Sequence, residues 1–169
     1  TPKLKAEGKM QVIAGHLPAQ LRRLLSDETR FSVALHMPHN QSIGVDYLNM
    51  NGNGMSLRLK GALDFEQQRS TGQFRLTCED LALLENPKGI KIAGSMEVDG
   101  RFSGPLLNPQ TTLLVNIQNV EFDKFRADAV HADLRIGLVS PLSKEFSGIV
   151  LSGSGSLENF AHLDVQPMP

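Results

Sequence analysis

The segment Ile92–Phe102, with the sequence IAGSMEVDGRF, decides the fold class because its side chains alternate between two chemical characters. Met96 and Val98 fall on one side together with two glycines, whereas Glu97 and Asp99 fall on the other. Successive side chains of a β-strand point to opposite faces of the sheet. The segment is therefore predicted to be a strand with one apolar and one polar face.

The same alternation recurs along most of the chain, with turn signals between the alternating segments. It is found in residues 4–14, 31–37, 55–65, 74–78, 113–122, 130–138 and 149–157. The separating turn signals are Asn51–Gly54, Ser70–Gly72, Asn86–Gly89 and Gly104–Pro105. Regularly spaced strands with short breaks favour an all-β, mostly antiparallel sheet of about ten strands. In the last segment, Gly153 and Gly155 keep the alternation and are assigned to the apolar face.

Three segments break the alternation. Residues 17–25 place four leucines at helical spacing around a proline suited to the first turn, and they predict one short helix near the N-terminus. Residues 38–46 predict a loop, and the apolar patch at 81–84 predicts a single helical turn. Residues 8–17 and 72–81 align at a constant offset, which indicates that a strand followed by an apolar patch occurs twice.

The composition argues against several classes of partner. The chain has 17 basic and 18 acidic residues and a net charge of -1, so it lacks the basic stripe that a nucleic-acid partner requires. Eight Phe, one Tyr and no Trp leave few platforms on which bases or sugars could stack. Cys78 is the only cysteine and cannot form an internal disulfide. No apolar run approaches the roughly 20 residues of a membrane-spanning helix.

The length of 169 residues suits one domain with its own core. We expect a single β-rich domain at residues 1–165 and a frayed tail with two prolines at residues 166–169. The first residue is Thr1, and no signal-peptide pattern follows it. We therefore expect the chain to be an excised piece of a longer repeat protein.

Residue pairs that would indicate catalysis or metal binding are few. His36 and His39 flank Pro38 without Cys or Asp at ligand spacing nearby, so neither a metal nor a cofactor is expected. Asp64 and Glu66 lie two residues apart on a predicted strand and point outward together, whereas glycoside hydrolysis needs two carboxylates facing one cleft. The sequence predicts a protein without enzymatic activity.

Residues 72–81 and 94–105, followed by Asn108-Pro109 and the alternating segment 113–136, resemble the TamB family of the AsmA-like superfamily. In that family an alternating strand ends in a Gly, a short turn and a Pro, and further alternating strands follow. The resemblance implies a curled antiparallel sheet that forms an open trough with an apolar interior, called a β-taco. It also implies a periplasmic protein anchored in the bacterial inner membrane, with roles in lipid transport and outer-membrane biogenesis alongside the BamA-like barrel TamA.

The residues also favour a lipid groove by themselves, because the predicted helix and apolar patch are too small to cover the apolar face. A bound acyl chain gains about 0.8 kcal/mol per buried methylene, so phospholipid acyl chains are the expected partner. The alternative is a closed β-sandwich that acts as an interaction or spacer module without lipid. The residues expected to line the groove are Met55, Leu57, Leu59, Leu63, Phe65, Phe74, Leu76, Ile92, Met96, Val98, Phe102, Leu113, Val115, Ile117, Val130, Leu134, Ile136 and Leu151.

Overall fold

The computed structural model describes residues 2–10, 29–39, 41–83, 92–138 and 149–162, which form one antiparallel sheet of ten strands. In the described ranges the only helical element is a 3₁₀ turn at Leu81–Leu83. The predicted all-β antiparallel class is confirmed. The strands are β1 (Lys3–Met10), β2 (Thr29–His36), β3 (Ser42–Asn51), β4 (Met55–Asp64), β5 (Arg69–Cys78), β6 (Ile92–Pro105), β7 (Gln110–Phe122), β8 (Phe125–Leu138), β9 (Ile149–Glu158) and β10 (Ala161–His162).

The order of the strands across the sheet follows the sequence from β1 to β8. β9 and β10 both pair with β8, along different parts of its length. The sheet does not close, because β1 lies at one edge and β9 with β10 at the other. The described residues therefore form a single layer, which differs from the closed β-sandwich alternative.

The register of the strands gathers the apolar side chains on one side of the sheet. Residues directly opposite each other on paired strands share a face. We call the face that carries Val98 and its cross-strand partners the apolar face, and the opposite face, which carries Glu97 and Arg101, the charged face. One uninterrupted row of the apolar face runs from β1 to β9 through Gly8, Phe31, Met50, Leu57, Leu76, Val98, Val115, Ala132 and Gly155.

Two phenylalanines of the apolar face cover glycines on the neighbouring strand. Phe74 of β5 pairs with Gly100 of β6, and Phe102 of β6 pairs with Gly72 of β5. In each case the aromatic ring occupies the space that a Cβ atom on the glycine would take. The missing side chains let the rings lie close against the sheet, and the rings shield backbone that would otherwise be bare.

The turn predictions have mixed outcomes. The turn at Asn51–Gly54 is confirmed between β3 and β4, and the helical turn is confirmed at Leu81–Leu83. The turn predicted at Ser70–Gly72 is wrong, because these residues belong to β5 and the chain reverses at residues 65–68. Gly104–Pro105 is likewise part of a strand, the end of β6, and the chain reverses just after it.

The loop predicted at residues 38–46 is too long, because β3 already begins at Ser42. The register of β3 shifts between Val45 and Leu48, and this irregularity interrupts the alternation that would have indicated a strand. The helix predicted at residues 17–25, the turn at Asn86–Gly89, the end of the first predicted strand and the tail at 166–169 lie outside the described residues.

The sheet has a small core. Cys78 and Leu81 form a buried cluster where the 3₁₀ turn meets the end of the apolar face. Two packed layers would enclose a continuous core, whereas most apolar-face side chains of the central strands are only half-buried here. The partly buried side chains packed on the cluster are Met55, Leu83, Ile92, Met96 and Ile117. The buried apolar residues of the described ranges are Ala34, Cys78, Leu81, Val98 and Ala127.

Candidate functional site

The structure brings the predicted groove-lining residues together on the apolar face, with one exception. Their strands pair in a register that sets Met96 opposite Cys78 and Ile117, and each neighbouring row follows the same rule. Phe65 is the exception, because it lies in the turn between β4 and β5 and is 44% exposed. Its assignment to a strand row is therefore wrong.

A bulge between β6 and β7 keeps the apolar face continuous at the end where Ile92 and Phe122 lie. Asn119 has a φ of +51° and is an extra residue on β7, opposite the place where Gly94 of β6 has a φ of +120°. The extra residue changes the phase of the alternation, so that Phe122 pairs with Ile92. Ile92 and Ile117 both pack against the buried cluster of Cys78 and Leu81. Strict alternation would have placed Phe122 and Ile117 on opposite faces.

The 3₁₀ turn covers one end of the apolar face. Leu81 is 4% exposed and packs against Cys78. The turn is fixed by Asp80, whose Oδ1 accepts a hydrogen bond from the backbone N–H of Ala82 at 2.8 Å. Burial raises the pKa of the Cys78 thiol, so the thiol stays protonated and unreactive in the folded protein.

Exposure on the apolar face increases from the middle of the sheet to its edges. Val98, on the central strand β6, is 9% exposed. Leu4 on β1 is 62% exposed, and Leu151 and Leu157 on β9 are 61% and 59% exposed. The middle strands of this face are therefore better covered than the edge strands, although the described residues place no second layer over them.

An apolar recess of about 280 Å³ lies where the β7–β8 hairpin meets the end of β9. The Phe125 and Phe160 rings stack there with centroids 5.6 Å apart, and the ring of His162 meets Phe125 edge-on at 5.3 Å. Phe160 is 57% exposed. Sequence reasoning missed this recess, since Phe160 lies outside every alternating segment. The residues that line it are Val120, Phe122, Phe125, Arg126, Ala127, Leu157 and Phe160.

Two adjoining recesses, of about 710 and 770 Å³, lie on the charged face. The first extends from β3 to β8 and the second from β3 to β7. Sequence reasoning also missed these recesses, because the charges that meet in them are far apart in the chain and only the register aligns them. The residues common to both are Asp46, Lys60, Gln73, Arg101 and Thr112.

One cation of the charged face is held by its neighbours. Arg75 donates two hydrogen bonds to Asp99, from Nε to Oδ1 at 2.7 Å and from Nη2 to Oδ2 at 3.0 Å. Glu97 Oε1 lies 3.4 Å from the same Nε atom. The hydrogen bond to Asp99 and the charges of both carboxylates raise the pKa of Arg75. The pair is solvent-exposed, so it orients the two side chains more than it stabilises the sheet.

Two histidines of the charged face contact carboxylates. His36 Nδ1 lies 2.8 Å from Asp46 Oδ1 without hydrogen-bond geometry. His131 Nδ1 lies 2.7 Å from Asn116 Oδ1, and its Nε2 lies 3.7 Å from Glu158 Oε1. Within the described part of the chain, no group of three or more His, Cys, Asp or Glu side chains is placed to hold a metal ion. The absence of enzymatic activity stays a prediction.

No helix among the described residues is both long and apolar enough to cross a membrane. Comparisons of the chain with protein-family models, with curated proteins and with solved structures find no match. Function is therefore inferred from the geometry of the two faces and from the residues that resemble the TamB family.

Proposed function

We propose that the sheet is a non-enzymatic segment of a bacterial envelope protein and that its apolar face guides phospholipid acyl chains. The observation that carries this proposal is the uninterrupted apolar row from β1 to β9, on which the described residues place only the 3₁₀ turn. An apolar face of this extent needs a cover. Hydrocarbon chains have the chemistry of that cover and leave the polar edges of the sheet in water.

In the proposed arrangement the sheet curls toward its apolar face and forms an open trough. Exposure falls from 62% at Leu4 and 61% at Leu151 on the edge strands to 9% at Val98 on β6, so the middle of the apolar face is the part best shielded from water. A hydrocarbon chain would lie along the rows of apolar side chains in this trough, without displacing side chains that are packed on one another.

The energetics favour transit over storage. Burial of about ten methylenes gains roughly 8 kcal/mol, whereas association costs an estimated 4–15 kcal/mol in lost translational and rotational freedom and in ordering. These two quantities are of similar size, so the expected binding is weak and reversible. A conduit must release each lipid after binding it, and weak binding meets that requirement.

The cellular setting of the proposal comes from the resemblance to the TamB family. We propose a periplasmic location, in a longer protein anchored in the inner membrane, with lipid movement between the inner and outer membranes and support of outer-membrane protein assembly through the TamA barrel. Two of the segments that carry the resemblance lie on neighbouring strands of the sheet. Residues 72–81 form most of β5 and lead into the 3₁₀ turn, and residues 94–105 run to the end of β6 at a proline.

Photo-crosslinking in cells tests the lipid proposal. A photoreactive amino acid at Leu59, Met96 or Phe102 on the apolar face is expected to capture phospholipid. The matched controls are Lys60 and Glu97, which neighbour two of these positions in the strands but lie on the charged face. Equal capture from the two faces, or no capture from the apolar face of a variant whose circular dichroism matches the parent protein, would contradict the proposal.

A further inference from the structure

We propose that the charged face binds an extended acidic peptide that adopts the polyproline II conformation and presents a carboxylate at every third residue. The site is a row of side chains across five strands, in which each residue pairs with the next. The row lies opposite the face proposed for acyl chains, so this inference goes beyond the lipid function and does not depend on it. The row consists of Lys60, Gln73, Arg101, Thr112 and Arg135.

The cations of this row are available to a ligand. Lys60, Arg101 and Arg135 are exposed, and none of the ion pairs among the described residues includes them. The row itself contains no carboxylate. Glutamine and threonine occupy the positions between the cations, so a bound anion would meet no like charge along the row.

The carboxylates that face the same recess are engaged or displaced from the row. Asp46 lies in the irregular part of β3, beyond the Lys60 end of the row, and Asp99 is held by Arg75. Asp133 belongs to the neighbouring row of the sheet, in which it pairs with Leu114. The recess also contains Arg58, which pairs across the strands with Arg75 and adds positive charge. The recess therefore has a net positive charge that is concentrated along the row.

The spacing of the cations selects the conformation of the ligand. Lys60, Arg101 and Arg135 lie on β4, β6 and β8, two strands apart in each step. Neighbouring strands are about 4.8 Å apart, which makes the step about 9.6 Å. A polyproline II helix has three residues per turn and rises about 3.1 Å per residue, so every third side chain lies on one face at about 9.3 Å intervals. A β-strand repeats the same face at about 6.7 Å and does not match.

The recess also suits the backbone of such a peptide. A polyproline II segment has no internal hydrogen bonds, so its carbonyl groups need donors from a partner or from water. Gln73 and Thr112 offer such donors between the cations, and both side chains line the two recesses of about 710 and 770 Å³. The two recesses let the peptide contact the row and the residues beside it together.

Binding of two isomeric peptides to the complete chain tests the proposal. One fluorescein-labelled peptide has five Glu-Pro-Pro repeats, and the other has the same composition with its five Glu residues consecutive. By fluorescence anisotropy at low ionic strength, the repeating peptide is expected to bind about fivefold or more tightly than its isomer, and added salt weakens both. Equal affinity for the two isomers would overturn the proposed conformation.

Charge-removing variants locate the site. Arg101→Gln, at the centre of the row, is expected to weaken binding of the repeating peptide about threefold to fivefold. Arg30→Gln removes the same charge from β2, outside the recesses, and is expected to change affinity less than about twofold. Equal effects of the two variants, with unchanged circular dichroism, would overturn the site. Tighter binding of a single-stranded oligonucleotide or of anionic phospholipid vesicles than of the repeating peptide would overturn the ligand class.

Discussion

Three alanine substitutions at glycines separate two sources of strain in the sheet. Gly94 has a φ of +120°, and a Cβ atom there would lie 2.7 Å from the carbonyl oxygen of Gln118. Gly104 has a similar φ of +121°, but the atom nearest to its added Cβ, the carbonyl oxygen of Asn108, is 3.7 Å away. Gly137 has no atom within 4 Å of the added Cβ and no positive φ. Gly94→Ala therefore combines backbone strain with a clash, Gly104→Ala causes backbone strain alone, and Gly137→Ala causes neither.

The expected magnitudes follow from these geometries. A backbone conformation that only glycine adopts readily costs another residue about 1–3 kcal/mol. Gly104→Ala is therefore expected to destabilise its surroundings by about 2 kcal/mol, and Gly94→Ala by more, because the opposing carbonyl group must also move. Gly137→Ala is expected to be neutral or to stabilise by up to about 1 kcal/mol, since alanine restricts the unfolded chain.

Amide hydrogen exchange, followed by mass spectrometry of peptides from β6 and β7, measures these differences locally. A loss of about 2 kcal/mol in the free energy of opening accelerates exchange roughly 30-fold. The expected order of exchange rates, fastest first, is Gly94→Ala, Gly104→Ala and Gly137→Ala, and the last variant should exchange no faster than the parent protein. If Gly94→Ala exchanges no faster than Gly137→Ala, the bulge geometry is refuted. The Ile92 end of the apolar face depends on that geometry.

Other substitutions test the small core and the apolar recess. Because burial raises the pKa of the Cys78 thiol, alkylation at about pH 8 is expected only after unfolding. The folded thiol keeps its proton where the unfolded thiol loses it, so stability falls as pH rises above the usual thiol pKa, and Cys78→Ala should remove this contribution. Leu81→Ala is expected to cost about 2–3 kcal/mol in urea unfolding and to speed Cys78 alkylation; unchanged alkylation would contradict the proposed cover. Phe160→Ala removes the stacking on Phe125 and should cost about 1 kcal/mol or less, seen as faster exchange in β8 and not in β4.

The alternation of side chains predicts most of the sheet, but the turn signals misplace two of its turns. The turn at residues 65–68 contains neither glycine nor proline. Asp64 stabilises it, because its Oδ1 accepts a hydrogen bond from the N–H of Gln67 at 2.8 Å. Gln68 completes the turn in the left-handed backbone conformation, with a φ of +52°. Gly72, by contrast, reads as a turn residue but lies inside β5 beneath the ring of Phe102. Composition therefore misleads where side-chain hydrogen bonds or packing set the backbone.

The charged recesses were beyond sequence reasoning for a different reason. Lys60, Arg101 and Arg135 each look like ordinary exposed residues of an amphipathic strand. Their alignment depends on four successive strand pairings, and a shift of one residue in any pairing would disperse them. The bulge at Asn119 did leave a trace in the sequence, because the apolar series changes phase between Ile117 and Val120.

Every strand from β1 to β7 pairs only with its neighbours in sequence, so this part of the sheet is quasi-one-dimensional. Stability in such an architecture is close to a sum of nearest-neighbour contributions, as in linear repeat arrays. Unfolding is then expected to start as fraying at β1 and β9 and to move inward, and the short sequence separations favour rapid folding. An additional hairpin joined to either margin would lengthen the ribbon without rearranging the rest, which makes its span an adjustable property of the chain.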